Sequence, residues 1–115
     1  MGGESFITAS WGKTTEEAFK SAVERAEYDH GHAGYTGTIA EKDSFLMVKL
    51  PEHKDPIDFA NELIKGNNEV SDKWGPCGCI EIPNSLYKRI EEQCYIIHSQ
   101  SPNDKLFIFF GWASS

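Results

Sequence analysis

The stretch TTEEAFKSAVERA (residues 14–26) carries the clearest structural signal in this chain of 115 residues. Thr14, with Glu17 three positions later, forms a capping box, in which each side chain satisfies a free backbone amide at the start of a helix. Apolar residues then recur at the spacing of one buried helix face; they are Ala18, Phe19, Ala22, Val23 and Ala26. We expect this helix to end near His30-Gly31, where glycine can adopt the left-handed conformation.

Alternating and continuous apolar runs predict strands on both sides of this helix. The first strand is expected at Glu4–Trp11, and a hairpin turning at Asp43 is expected from Thr38–Lys42 and Ser44–Leu50. Cys77–Ile82 predicts a further short strand, and Cys94–His98 with Lys105–Trp112 predicts a closing antiparallel pair.

Two more helices complete the pattern. Asp55-Pro56 is a strong helix start and Gly66 a helix end, while Pro83–Glu92 predicts a short third helix. The order of elements predicts one α+β domain over residues 1–115, with a mainly antiparallel sheet and two or three helices on one face. Phe45–Val48 and Phe107–Phe110 are apolar on both faces, so each is either a central strand or part of a subunit interface.

The charge balance limits the possible ligands. The chain has 11 basic and 18 acidic residues, a formal net charge of −7. Polynucleotide binding is not expected, because each phosphate contact requires a cation, whereas a small anion needs only two or three donors. No apolar run approaches the ~18–20 residues that span a bilayer. With no signal-peptide pattern and an odd number of cysteines, we expect a reduced, cytoplasmic protein without membrane partners.

Metal and catalytic motifs are weak. His30-x-His32 and Cys77-x-Cys79 offer four potential ligands, but the usual zinc sites separate paired cysteines by two to four residues. Cys94 and His98 would share a strand face, yet nothing around them forms a nucleophile turn. We therefore predict no metal, no cofactor and no catalytic residue, and a function other than catalysis.

Other features are compatible with a small anionic ligand. Residues 31–38 contain three glycines, which fit a helix-to-strand turn and the wall of a ligand site equally well. Only Arg25 and Arg89 could hold an anion bidentately, although each could instead pair with a nearby glutamate on the surface. Five aromatic residues lie at predicted element ends or in loops, where they could stack on a ligand or pack at the core edge; they are Tyr28, Tyr35, Trp74, Tyr87 and Trp112.

The segment AFKSAVERAEYDHGHAGYTGTI (residues 18–39) resembles a family of small phage proteins, the type 1 Thoeris anti-defence proteins. The shared features are an amphipathic helix ending in tyrosine and the following GYTGTI (residues 34–39). The closing FFGWAS (residues 109–114) is similar as well. The resemblance is most specific over residues 15–42 and weak over residues 51–105.

The resemblance implies a sponge that binds glycocyclic ADP-ribose, the signal of a bacterial TIR-domain enzyme, and sequesters it without cleavage. It implies action in the host bacterial cytosol and a homodimer or higher homo-oligomer that holds the ligand between subunits. Some members also bind cyclic di- or trinucleotides at separate sites. The family relies on arginines in the C-terminal half for the phosphates, and here only Arg89 lies there.

The residues expected to line the ligand are Arg25, Tyr28, Tyr35, Trp74, Asn84, Lys88 and Arg89. Two other functions stay open. A small enzyme degrading a cyclic nucleotide signal would use His30, His32 or His98. An adaptor between phage and host proteins would dock a partner through Phe45–Val48 or Phe107–Phe110 by edge pairing.

Overall fold

The computed structural model describes residues 3–31, 36–66, 69–72, 74–93, 96–97 and 103–114. Its strands are β1 (Gly3–Gly12), β2 (Phe45–Met47), β3 (Cys77–Glu81), β4 (Ile96–Ile97) and β5 (Lys105–Ser114). Its helices are α1 (Thr15–His30), α2 (Pro56–Lys65) and α3 (Tyr87–Gln93), with short 3-10 helices at Ile39–Glu41, Glu69–Ser71 and Asn84–Leu86. In the part of the chain so described, no helix is both long and apolar enough to cross a membrane.

The five strands form one mixed sheet in the order β2-β3-β5-β1-β4. The long β1–β5 pair is antiparallel from Gly3↔Ser114 to Gly12↔Lys105, and β3 pairs antiparallel with β5. The short β2–β3 and β1–β4 pairs are parallel. The predicted α+β fold with a mainly antiparallel sheet is therefore confirmed.

Both main helix starts follow the caps expected from the sequence. The Thr14 hydroxyl accepts from the Glu17 amide at 3.2 Å, and the Asp55 carboxylate accepts from the amides of Ile57 and Asp58, each at 3.1 Å. Side-chain acceptors of this kind satisfy backbone amides that have no partner within the helix.

The two predicted hairpins are wrong. Ile39–Glu41 is a 3-10 helix, because the Thr38 hydroxyl accepts from the Ala40 amide at 3.2 Å and caps a turn there. The strand that follows, β2, pairs in parallel with β3. At the other end, β4 pairs in parallel with β1, while β5 has β1 and β3 as its neighbours.

Helix α1 covers one face of the sheet. Ala18 and Ala22 of α1 lie in a fully buried cluster with Cys77 and Cys79 of β3 and with Phe107 and Phe109 of β5. The rings of Phe19, Phe45 and Phe109 lie 5.1–5.9 Å apart in tilted and edge-on contacts, a favourable arrangement for aromatic pairs. We call this side of the sheet the aromatic face.

Helices α2 and α3 cover the opposite face, which we call the aliphatic face. It buries Ile80 of β3 and Leu106 and Ile108 of β5 against Ile64 of α2 and Ile90 of α3. Two helices thus share a face as expected, whereas α1 lies on the other. Helices on both faces explain why β5 is apolar at every position from Leu106 to Phe110.

Candidate functional site

An open groove of about 970 Å³ lies at the carboxyl ends of β2 and β3. The two strands are parallel, so the segments that leave them start at the same edge of the sheet. One leads to the start of α2 at Asp55, and the other leads through Pro83 to α3. Clefts outside the carboxyl ends of parallel strands are frequent ligand sites, and this volume lies within the usual range of ligand pockets, roughly 300–1,000 Å³.

The groove is lined by both apolar and charged residues. Its apolar lining comes from Met47, Val48, Leu50, Pro51, Pro83 and Leu86. Its basic lining comes from Lys49, His53, Lys54 and Arg89, and its acidic lining from Glu52, Asp55 and Glu81. An apolar surface with a few convergent polar groups is typical of small-molecule sites.

Arg89 is the best-placed cation in the groove. Its Nε donates to Asp55 Oδ1 at 2.5 Å, and no other hydrogen bond joins Arg89 to a described residue. The Nη1 and Nη2 groups therefore keep their donors for another acceptor, and a guanidinium matches a phosphate with two parallel hydrogen bonds. Its side chain is 52% exposed, so a ligand in the groove can reach it.

Asp55 holds both Arg89 and the start of α2. Its carboxylate accepts from two helix amides and from Arg89, as described above. Partial burial raises the pKa of Asp55, but the Asp58 amide, the Arg89 guanidinium and the Ile57 amide outweigh it and hold that pKa below its ordinary value. Asp55 is therefore ionised at neutral pH and positions Arg89 at the groove.

Lys54 and Lys49 differ in their surroundings. The Lys54 ammonium pairs with Glu62 of α2. Lys49 is exposed and makes no ion pair with any residue that the structure describes. His53 lies between them in the turn before α2 with φ of 61°, a conformation uncommon for residues other than glycine.

The candidate residues from the sequence lie on opposite faces of the sheet. Arg25 and Tyr28 are on α1 at the aromatic face, where the Arg25 guanidinium lies 5.9 Å from the Tyr28 ring centroid and pairs with Asp29 at 3.3 Å. Asn84, Lys88 and Arg89 belong to the α3 segment at the aliphatic face, and of these Arg89 lines the groove. One chain does not bring the two sets into one pocket.

The predicted aromatic residues also divide into two groups. Tyr28 and Trp74 are 84% and 66% exposed, so both rings are accessible. Tyr87 makes an edge-on contact with Trp11 at 4.9 Å, and the Trp112 indole donates to the Ile64 carbonyl at 2.8 Å. Those two rings pack at the edge of the core, and Tyr35 lies outside the described residues.

A second, smaller pocket of about 90 Å³ lies beside α1 on the aromatic face. Arg25, Asp29 and His30 line it together with Thr38. Its volume is well below that of a nucleotide pocket, so we regard the groove as the main candidate site.

The cysteines and histidines considered as metal ligands are placed as follows. Cys77 and Cys79 are fully buried, and burial raises the pKa of the Cys77 thiol to about 12 and that of Cys79 as well. Both thiols are therefore protonated at neutral pH and unreactive. Within the described ranges, no three histidine, cysteine, aspartate or glutamate side chains are grouped closely enough to hold a metal ion. His32, Cys94 and His98 lie outside those ranges.

The groove residues Lys49, His53 and Lys54 were missed by sequence reasoning. The available signal was KLPEHKD (residues 49–55), which places three basic side chains between an apolar run and a helix N-cap.

No protein-family model, curated protein or solved structure matches this chain. The likeness to the anti-defence family therefore depends on the residues quoted above, and the function remains a proposal.

Proposed function

We propose that this chain is a sponge that binds glycocyclic ADP-ribose in the groove and sequesters it without cleavage, blocking Thoeris defence in the host cytosol. The observation that carries the proposal is Arg89, which is held by Asp55 in the lining of an open groove of about 970 Å³. The resemblance supplies the identity of the ligand, and the groove supplies a site of suitable size and charge.

The groove could meet both halves of such a ligand. A diphosphate would accept from the Nη1 and Nη2 groups of Arg89. The exposed Lys49 and the half-buried Lys54, which pairs with Glu62, also line the groove. The flat base would lie against the apolar lining near Leu50 and Leu86. The overall charge of −7 does not oppose this, because the guanidinium acts locally on a partly desolvated phosphate.

Asp55 is engaged in positioning and is not placed to act as a general acid. A general acid must carry a proton at working pH, and the lowered pKa of Asp55 keeps this carboxylate ionised. Its oxygens are also already engaged by Arg89 and by the start of α2. We therefore assign Asp55 a positioning role.

A release assay tests the proposal. Purified protein is mixed with glycocyclic ADP-ribose from an activated TIR-domain enzyme, depletion of free ligand is measured, and the protein is denatured by heat. Mass spectrometry then identifies what is released. We expect depletion followed by recovery of the intact ligand; altered ligand would indicate an enzyme, and no depletion would refute the proposal.

Two arginine variants test the site within the same assay. Arg89→Ala should weaken binding by about 1.5–3 kcal/mol, the usual value for a charged hydrogen bond, and Arg89→Lys should recover part of the loss. Arg25→Ala, on the opposite face, is the matched control and should leave affinity unchanged. The reverse pattern would move the site to α1, and circular dichroism confirms that each variant is folded.

A further inference from the structure

Glu81 places an exposed charge within an otherwise buried segment. Strand β3 is buried from Cys77 to Ile80, and Ile82, which directly follows Glu81, is 1% exposed. A glutamate at this position adds nothing to the apolar core, since charged side chains are rarely buried without a partner. The Glu81 side chain instead lines the groove, as Arg89 does.

The sheet fixes the position of Glu81. The residue pairs with Phe107 of β5, and the amide of the following Ile82 donates to the Leu106 carbonyl at 2.9 Å. Side chains on strands are held more precisely than side chains on loops. Glu52, another exposed carboxylate of the groove, lies in the turn before α2. Of these two carboxylates, Glu81 is therefore the better placed to recognise a ligand.

The Glu81 carboxylate is not engaged by the residues that the structure describes. Their ion pairs at the groove join Lys54 to Glu62 and Arg89 to Asp55, and none of their hydrogen bonds or ion pairs includes the Glu81 side chain. Asp55 differs, because its carboxylate already accepts from Arg89 and from two helix amides. The oxygens of Glu81 can therefore accept from a ligand in the groove.

A carboxylate in a groove that binds a diphosphate needs a reason, because like charges repel. Arg89, Lys49 and Lys54 can donate to phosphate oxygens, but their side chains have no acceptor for a hydroxyl proton. A ribose carries hydroxyl groups that donate hydrogen bonds. An acidic side chain is a known acceptor for ribose hydroxyls at the carboxyl ends of parallel strands. Glu81 supplies such an acceptor at the carboxyl end of β3.

We propose that Glu81 accepts hydrogen bonds from ribose hydroxyls and makes the groove selective for diphosphates that carry ribose. Arg89 holds the diphosphate, and Glu81 disfavours anions that have no hydroxyl to donate. A site built to hydrogen-bond a hydroxyl rejects analogues without it, because its polar group is then left unpaired. This role rests on the proposed function, and it adds the group that selects the ligand.

The sign of the affinity change in Glu81 variants tests this role. Isothermal titration calorimetry measures the binding of glycocyclic ADP-ribose to the unaltered chain, Glu81→Ala and Glu81→Gln. We expect Glu81→Ala to raise the dissociation constant at least about tenfold, the usual effect of losing a hydrogen bond to a charged group. Glu81→Gln keeps one acceptor oxygen and should give an intermediate value. Equal or tighter binding by Glu81→Ala would overturn the role, because the carboxylate would then only repel the ligand.

Glu52→Ala is the matched control. It removes the same side chain from another exposed position of the groove and should not weaken binding. A loss as large as that in Glu81→Ala would overturn the assignment to Glu81. Thermal unfolding of both variants must match that of the unaltered chain, so that weaker binding is not loss of the fold.

Inorganic pyrophosphate, which has no ribose, provides a second readout. Its binding should be no weaker in Glu81→Ala than in the unaltered chain, because the substitution removes a negative charge from the groove. Weaker binding of pyrophosphate by Glu81→Ala would overturn the role, since it would show that the substitution disturbs the diphosphate contacts.

The same titrations separate this role from the proposed function. If the unaltered chain does not bind glycocyclic ADP-ribose, the proposed function fails and the role of Glu81 fails with it. If the unaltered chain binds this ligand and Glu81→Ala binds it equally well, only the role of Glu81 fails.

Discussion

Strands β5 and β2 have similar apolar sequences but lie in opposite environments. FIFF (residues 107–110) is fully buried at the centre of the sheet, whereas FLM (residues 45–47) forms a three-residue edge strand with two exposed side chains. The difference lies in what covers them: β5 has strands on both sides and helices on both faces, while β2 has one strand neighbour. Local hydrophobicity alone does not determine how deeply a strand is buried.

The position of β2 depends on anchors outside the strand. Before it, the buried Lys42 ammonium donates to the carbonyls of Gly75 at 2.8 Å and Asp72 at 3.3 Å. After it, Asp55 joins the start of α2 to Arg89. Within the strand, Phe45 contacts the rings of Phe19 and Phe109. We therefore expect β5 to be sensitive to core truncation and β2 to be sensitive at its anchors.

The largest effect is expected from truncating the central strand. Phe109→Ala should lower the free energy of unfolding by about 3–5 kcal/mol, because it leaves a cavity under α1 and removes two ring contacts. Leu46→Ala in β2 should change it by less than about 0.5 kcal/mol. Urea unfolding of the monomer measures both, and equal losses would contradict the contrast between the strands.

The anchor before β2 should have an intermediate effect. Lys42→Met retains most of the side-chain volume but leaves the carbonyls of Asp72 and Gly75 without this donor, at a cost of about 1–3 kcal/mol in unfolding free energy. Burial disfavours the charged form of Lys42 and so lowers its pKa. The hydrogen bonds to the two carbonyls offset this desolvation cost. Lys49→Met is the exposed control. Similar unfolding midpoints for Lys42→Met and Lys49→Met would show that the hydrogen bonds from the Lys42 ammonium to Asp72 and Gly75 do not stabilise the fold.

The anchor after β2 should have the smallest effect, and one that depends on pH. Asn also caps helices, so Asp55→Asn removes mainly the ion pair with Arg89 and should cost about 1 kcal/mol or less at neutral pH. Because folding lowers the pKa of Asp55 below 3.8, its stabilisation is complete above that value and is lost as pH falls through the folded pKa.

Chemical unfolding from neutral pH to about pH 2 measures this dependence. The unfolding free energies of the unaltered chain and Asp55→Asn should converge as the solution is acidified. The control is the same substitution three residues later, Asp58→Asn in the first turn of α2. The Asp58 side chain has no ion pair with a described residue. A gap between the unaltered chain and Asp55→Asn that stays constant with pH would contradict the assignment.

The sequence predicted the helices well because their signals are local. Thr14 and Asp55 each cap a helix from within three residues, and these contacts need no knowledge of the rest of the fold. Strand pairing was not predictable in the same way. Whether residues 45–47 pair with the preceding or the following segment depends on Cys77–Glu81, which lies about thirty residues further along.

The candidate site shows the same division between local and distant information. Arg89 could be selected from its residue type, because guanidinium is suited to phosphate and only two arginines exist. Lys49 and Lys54 could be noted from the basic residues of segment 49–55, but their place in one groove with Arg89 could not be predicted, since it depends on the parallel pairing of β2 and β3. Arg25 carries the same chemistry but lies on the other face of the sheet, a distinction that required the topology.

The long ladder between β1 and β5 has a consequence for the kinetics of folding. Gly12 pairs with Lys105, and the segment between these two residues is most of the chain. The β1–β5 ladder therefore forms only when this long loop closes. Closing so large a loop costs entropy that non-local contacts repay only afterwards, which places such topologies among the slower folders, on a scale of roughly milliseconds to seconds. During that interval the edge of β5 that later pairs with β1 is unpaired, and the exposure of this apolar strand is a risk for aggregation.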